Sequence, residues 1–252
     1  MSAARPLLVA SYNVHGWVGT DGRYDPERVG RVIEEMRPDL LALQEVRCHG
    51  EEPSPLDLLA AARGAEVVRG VTLQLGLGTH GNAVLSRLPL DRIGRADLSV
   101  SGREPRGLID VTTTLCGEPL HAIATHLGIG PRERRIQVRR LVMRLEELPA
   151  GTRVLLGDMN EWVRGVGALQ PLHRLLGRTP GPRTFPSQLP VFSLDRIWVA
   201  PRQQLRRLWV HRSPLARRAS DHLPVLAELD LGRGTLQGEE PARGLLRRRR
   251  GA

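Results

Sequence analysis

Asp221 and His222 stand side by side in "RASDHLPVLAEL", directly ahead of a run in which Val225, Ala227 and Leu229 alternate as in a buried strand. A core strand gains nothing from an adjacent carboxylate and imidazole, and desolvating such a pair without partners costs free energy. Comparable residues recur in the same setting. Asn13 ends "PLLVASYN", Glu45 ends "DLLALQE", His126 ends "LHAIATH", Asp158 and Asn160 close "TRVLLGDMN", and Asp195 lies in "SLDRIWV". Strand ends are where a sheet offers side chains to a common cleft. Together these residues supply four carboxylates, two amides and two imidazoles. Hard oxygen donors without thiolates suit Mg2+ or Mn2+ rather than structural zinc. Two imidazoles suit proton transfer and the neutralisation of phosphate charge.

The elements that must position them are legible from periodicity. "YDPERVGRVIEEMRPD" reads as a helix with Asp25 as N-cap, Pro26 at the first helical position and Glu27 at the positive end. Its Val29, Val32, Ile33 and Met36 form one apolar face, and Pro38 ends it. A second helix is expected in "SPLDLLAAARG", and a third in "PRERRIQVRRLVMRLEEL" from Pro131, with Val138, Leu141, Val142, Leu145 and Leu148 at helical spacing. "RGLIDVTTTLCGEPLHAIATHLG" predicts a hairpin turning at Cys116-Gly117, and residues 66–90, "QLRRLWVHR" and "HLPVLAELDL" add strands. Many strands with a few interspersed helices point to an α+β domain of two packed sheets covered by helices, with an open parallel sheet as the alternative.

At 252 residues the chain is long enough for one large domain, expected over 1–231, followed by a disordered tail at 232–252 ending "EEPARGLLRRRRGA". No apolar run approaches a membrane span and no signal-peptide pattern opens the chain, so a cytoplasmic monomer is expected. Cys48 and Cys116 match no metal or redox spacing. The net charge of +10 comes from 37 basic residues, all arginine, and favours anionic ligands: nucleic acid, phospholipid surfaces or phosphoesters. The tail would add peripheral contact with anionic surfaces. Only 3% of residues are aromatic, whereas strand-gripping nucleases use exposed aromatics beside basic grooves. Tyr12, Phe185 and Trp198 fit a core, and Trp17, Tyr24 and Trp162 are the candidates for loop contacts with a substrate.

"SYNVHG", "LLALQEV", "HGNAVLSRLPL", "EPRGLIDV", "IATHLG", "LLGDMNEW", "FSLDRIWV" and "SDHLPV" occur in the order typical of the endonuclease/exonuclease/phosphatase superfamily. The sequence resembles that superfamily over residues 7 to 230. Single pieces are weak, but eight in order are specific. The resemblance implies a four-layer α/β/β/α sandwich with two mainly antiparallel sheets, and a metal-dependent phosphoesterase whose site lies at one end.

It also implies roles. Glu45 resembles the family's metal-binding glutamate, with Asn13 and Asp221 helping to hold the ion and its waters. Asp158 and Asn160 resemble the pair that positions the attacking water and the phosphoryl oxygens. His222 would pair with Asp195, and His126 would donate to a phosphate or leaving oxygen. Arg106, with Arg103 as rival, matches the basic residue near the scissile phosphate. Asn82 and Trp17 are further substrate candidates, and Arg134 and Gln137 secondary ones. Some relatives pair the second histidine with a glutamate near "GNAVLS"; here His80-Gly81-Asn82 stands instead, leaving the ionisation of His126 open. Lipid or small-molecule phosphoesters and nucleic acid are equally open as substrates. A binding module that has lost catalysis is disfavoured, because Glu45, Asp158 and His222 are all present.

Overall fold

Each strand-like run becomes a strand in one of two sheets. The structure is a computed structural model and describes residues 6–50, 52–162 and 167–231; the tail expected at 232–252 lies outside the described residues. From the N-terminus, β1 (Leu7–Asn13) leads through a 3-10 turn at His15–Trp17 into α1 (Pro26–Met36) and β2 (Leu40–Cys48). α2 (Pro55–Arg63) precedes β3 (Glu66–Leu75), β4 (Gly78–Ser86) and β5 (Arg92–Asp97). The hairpin of β6 (Gly107–Leu115) and β7 (Glu118–His126) feeds α3 (Pro131–Glu146), β8 (Thr152–Asp158) and α4 (Gln170–Leu176). β9 (Asp195–Ala200), β10 (Leu205–Val210), α5 (Pro214–Ala219) and β11 (Val225–Leu229) follow.

One sheet has six strands in the order β10-β11-β1-β2-β4-β3, the other five in the order β5-β6-β7-β8-β9. Neighbours run antiparallel except β1–β2 and β7–β8, which are parallel. Alternation decides which core each residue joins. Val9, Leu40, Ala42, Val84, Ala122, Val154 and Ile197 meet between the sheets. Ala10, Tyr12, Leu41 and Leu43 turn outward against α1, α2 and α5, while Ile123, Leu155 and Trp198 turn against α3 and α4. The result is the expected α/β/β/α sandwich.

α1 shows how local sequence produces this layering. The Asp25 side chain accepts from the Arg28 N–H at 2.8 Å, Pro26 starts the helix, and Arg37 closes it in the left-handed region. Val29, Val32, Ile33 and Met36 are all buried against the first sheet. Burying a side chain of this kind contributes roughly 1.5–3 kcal/mol, so a charge at Val32 would detach the helix. Tyr12 and Trp198 belong to the cores, as expected, whereas Phe185 is only half-buried and packs on His222 instead.

Candidate active site

Register places the second sheet's polar residues in one row. His126 on β7 is the partner of Asp158 on β8, and Asp158 is the partner of Asp195 on β9. Partnered residues share a face, so these three side chains stand abreast at the strand ends. The first sheet meets them with Asn13, at the end of β1, and Glu45 on β2. Unlike the expectation, β2 does not stop at Glu45. It continues to Cys48, and its pairing with β4 shifts register between Leu43 and Val46. Glu45 has φ 56°, left-handed for a residue that gains nothing locally from it. A bulge of this kind re-aims a side chain, and here it turns the carboxylate toward the seam between the sheets.

Asn13 joins the two sheets. Its amide nitrogen donates to Glu45 Oε1 at 2.9 Å and to Asp158 Oδ2 at 3.1 Å, while its oxygen accepts from the His15 N–H at 3.0 Å. Two carboxylates are thus drawn together across a neutral amide. Asp158 Oδ2 also faces His126 Nε2 at 3.5 Å and His222 Nε2 at 3.7 Å, and Oδ1 accepts from the Asn160 N–H at 2.8 Å. Every residue around Asp158 therefore reports on its charge.

The electrostatics separate the two imidazoles. Burial alone would lower the pKa of His222, but the Asp195 and Asp158 carboxylates outweigh it and raise it to about 10. Its Nδ1–H donates to Asp195 Oδ2 at 2.8 Å. Burial, reinforced by the Arg106 guanidinium, holds His126 well below its ordinary value, so it is neutral. Its approaches to Glu45 and Asp158 are therefore not ion pairs. Burial, with Asp195 adding repulsion against the attraction of His222, raises Asp158 to about 6. One imidazole is a cation and the other is not.

Asn160 determines how His126 is held. Its amide nitrogen donates to the Leu127 carbonyl at 2.8 Å and to His126 Nε2 at 3.0 Å, and its oxygen accepts from the Trp162 indole N–H at 3.2 Å. On the other side of the ring, Arg106 Nη1 approaches His126 Nδ1 at 3.4 Å. Arg106 is only 6% exposed and is clasped by Glu104 at 3.0 and 3.1 Å. Arg103 is exposed, whereas Arg106 is the arginine that reaches His126.

Several expectations are corrected. Trp17 is not a substrate contact: its ring is 1% exposed in the helix-side core, and its N–H donates to the Arg47 carbonyl at 2.6 Å. Asn82 donates to Gly107 O at 3.3 Å and ties β4 to β6. Asp221, half-buried, faces His15 at 3.8 Å and Ser220 at 3.4 Å. Arg134 and Gln137 are buried and brace the loop after His126. Arg134 holds the carbonyls of Gly128 and Ile129 and pairs with Glu161 at 3.4 Å, and Gln137 accepts from the Gly128 N–H at 2.8 Å. Glu104 and Ser220 were not anticipated. Glu104 lies two residues before Arg106 in "EPRG", a spacing that an extended segment turns to one side. The Ser220 hydroxyl donates to the Asn13 carbonyl at 2.8 Å and accepts from the His222 N–H at 3.2 Å, fixing the loop that carries His222.

The family description Endonuclease/Exonuclease/phosphatase family matches residues 10–222, from β1 through His222. The chain belongs to this family. Members of the endonuclease/exonuclease/phosphatase family are generally hydrolases of phosphoesters and generally use a divalent metal. The uncharacterized protein YbhP of Escherichia coli K12 is 31% identical over 249 residues, spanning 88% of this chain and 96% of that protein. An endonuclease/exonuclease/phosphatase from Beutenbergia cavernae superposes with a TM-score of 0.73 at 26% identity, over 90% of this chain and 72% of the other. The D. rerio TDP2 complexed with single strand DNA product shares the fold, with a TM-score of 0.67 at 17% identity over 89% of this chain and 99% of that one.

Proposed function

We propose that the chain is a divalent-metal-dependent phosphodiesterase acting by in-line attack of an activated water. The observation that supports this most is the position of Asp158, whose Oδ2 lies 3.1 Å from the Asn13 amide that also holds Glu45 and 3.7 Å from the cationic His222. The donor set fits a hard cation. Two carboxylates converge on one neutral amide, no thiolate is near, and Asp195 keeps a buried Oδ1 without a hydrogen bond. Ligand atoms of Asp158, Asp195 and His222 also lie within 4.8 Å of one another, but Asp195 Oδ2 is already engaged by His222 Nδ1 at 2.8 Å, which favours Glu45 as the principal ligand. Mg2+ or Mn2+ at Glu45 would neutralise phosphoryl charge and acidify a water.

The remaining chemistry belongs to the chain. Asp158, raised to about 6, is matched to accept a proton from water near neutral pH. His222, kept protonated by Asp195, offsets the negative charge that builds on the phosphoryl oxygens in the transition state. Arg106 adds a fixed positive charge on the other flank, and Glu104 limits its rotamers. His126, neutral and oriented by Asn160, adds no charge of its own. Cys48 and Cys116 are both unpaired, which suits a reducing cytoplasm. Hydrolysis of bis-p-nitrophenyl phosphate tests the reading. EDTA is expected to abolish it, and Asp158→Asn and His222→Ala are each expected to lower kcat about 100- to 10,000-fold. Equal turnover by wild type and both variants would sink it.

A further inference from the structure

Large apolar side chains are left in water at the rim of this cleft. Leu189 is 73% exposed, Ile129 64%, Val191 46% and Phe192 38%. Three of them belong to residues 185–192, which are not a loose loop. Phe185 and Phe192 form an isolated bridge, and the carbonyl of Phe185 accepts from the N–H groups of Val191 and Phe192 at 2.9 and 2.8 Å. The Gln188 amide donates to Thr20 Oγ1 and to the Arg217 carbonyl, each at 3.0 Å. Arg217 in turn donates to the carbonyls of Ser187 and Gln188 at 3.0 and 2.7 Å. The tip Leu189-Pro190-Val191 is thus braced from below while its side chains face out.

The tip is joined to the catalytic end. Phe185 packs on His222 with ring centroids 4.9 Å apart, and Trp162 lies edge-on to Phe185 and Phe192 at 5.2 and 5.3 Å. Ile129 stands in the loop after His126, and its carbonyl is held by Arg134, which pairs with Glu161 beside Trp162. Both apolar projections are therefore tied to the segments that carry His126 and His222. Their charge is one-sided. Residues 183–193 contain no carboxylate, the only one in 129–136 is the buried Glu133, and Arg132, Arg135 and Arg183 are exposed.

We propose that this end of the molecule docks on an anionic phospholipid bilayer. Ile129, Leu189, Val191 and Phe192 enter the boundary between headgroups and acyl chains, and the arginines around them meet the lipid phosphates. Apolar residues ringed by cations, on a rigid projection, are what interfacial binding requires. The three most exposed side chains, Leu189, Ile129 and Val191, are aliphatic, and the fourth, Phe192, meets the edge of Trp162 at 5.3 Å. The nearby rings of Trp162 and Phe185 are already engaged with one another and with His222. A nucleic-acid strand would find charge here with a single partly exposed ring, Phe192, to stack on. The inference deepens the phosphodiesterase reading by making a lipid headgroup phosphoester the substrate class, and rests on that reading only for turnover.

The test is co-sedimentation of the full chain with vesicles of phosphatidylglycerol and phosphatidylcholine, beside turnover of bis-p-nitrophenyl phosphate. Wild type is expected to pellet with phosphatidylglycerol vesicles and to be released by salt, and to turn over phosphatidylglycerol in them. The double variant Leu189→Asp/Val191→Asp, and separately Ile129→Asp, are expected to bind about tenfold or more weakly, and the double variant is expected to hydrolyse the soluble diester like wild type. A wild type that stays in the supernatant overturns the docking proposal, as does a double variant that pellets unchanged. So does loss of binding to a single-stranded oligonucleotide as large as the loss to vesicles. A wild type that pellets but never hydrolyses the soluble diester overturns the phosphodiesterase reading and leaves docking intact.

Discussion

The indole N–H of Trp162 donates to the side-chain oxygen of Asn160 at 3.2 Å, and the opposite end of that amide is fixed by the Leu127 carbonyl at 2.8 Å. An indole only donates and a carbonyl only accepts, so the amide cannot turn over. Its second N–H is thereby committed to His126 Nε2. Asn160 holds an imidazole in this protein, and Trp162 holds Asn160.

Trp162→Phe keeps the ring and removes the donor. The expected outcome is a kcat on bis-p-nitrophenyl phosphate about five- to tenfold lower with little change in KM, because one part-buried hydrogen bond is lost and the fold is not. Steady-state kinetics with a thermal melt as control checks it. A change in KM alone would place Trp162 in substrate binding.

Stability of the metal-free protein is expected to fall with pH in two stages. Asp158 is raised from 3.8 to about 6, so the native state binds its proton more tightly than the unfolded chain does, and this stabilisation is lost as pH rises to 6. His222 is raised from 6.5 to about 10, so its contribution is complete below 6.5 and lost as pH rises through 10. Melting curves in EDTA should show the lower stage missing in Asp158→Asn and the upper stage missing in His222→Gln.

Added Mn2+ or Mg2+ is expected to raise the melting temperature of wild type. An ion at a hundred times its Kd stabilises the native state by about 2.7 kcal/mol, provided the unfolded chain does not bind it. Glu45→Gln should abolish the shift, while Asp195→Asn should preserve most of it.

Gly128 separates His126 from α3, and a Cβ there would overlap the Glu133 carboxylate. Gly128→Ala is therefore expected to destabilise the fold by about 1–3 kcal/mol, through overpacking. Denaturant unfolding measures the loss, and a lower kcat should accompany it because the Leu127 carbonyl that orients Asn160 is in the same loop.

Strand ends were legible because apolar alternation stops where a polar residue begins, and all eight of the polar residues singled out lie at one end of the sandwich. What stayed hidden has physical reasons. β5 contains Arg92 and Arg95 and is exposed along most of its length, so it shows no alternation. α4 and α5 have seven and six residues, too few to display a helical period. The burial of Trp17 follows from a left-handed turn, with φ 60° at Gly16 and 66° at Trp17, which no spacing rule announces. Arg134 and Gln137 lie where the sequence put them, on α3 beside the site. Their side chains turn back to loop carbonyls and amides, a direction that periodicity does not encode.

β11 lies between β1 and β10, so the last strand described closes beside the first. During synthesis Asn13, Glu45, His126 and Asp158 all leave the ribosome well before His222, and the sheet that carries Asn13 lacks its neighbour until that final segment arrives. If the proposed chemistry holds, a growing or truncated polypeptide ending short of residue 222 would be hydrolytically silent, and turnover would signal that translation of the whole sandwich has finished.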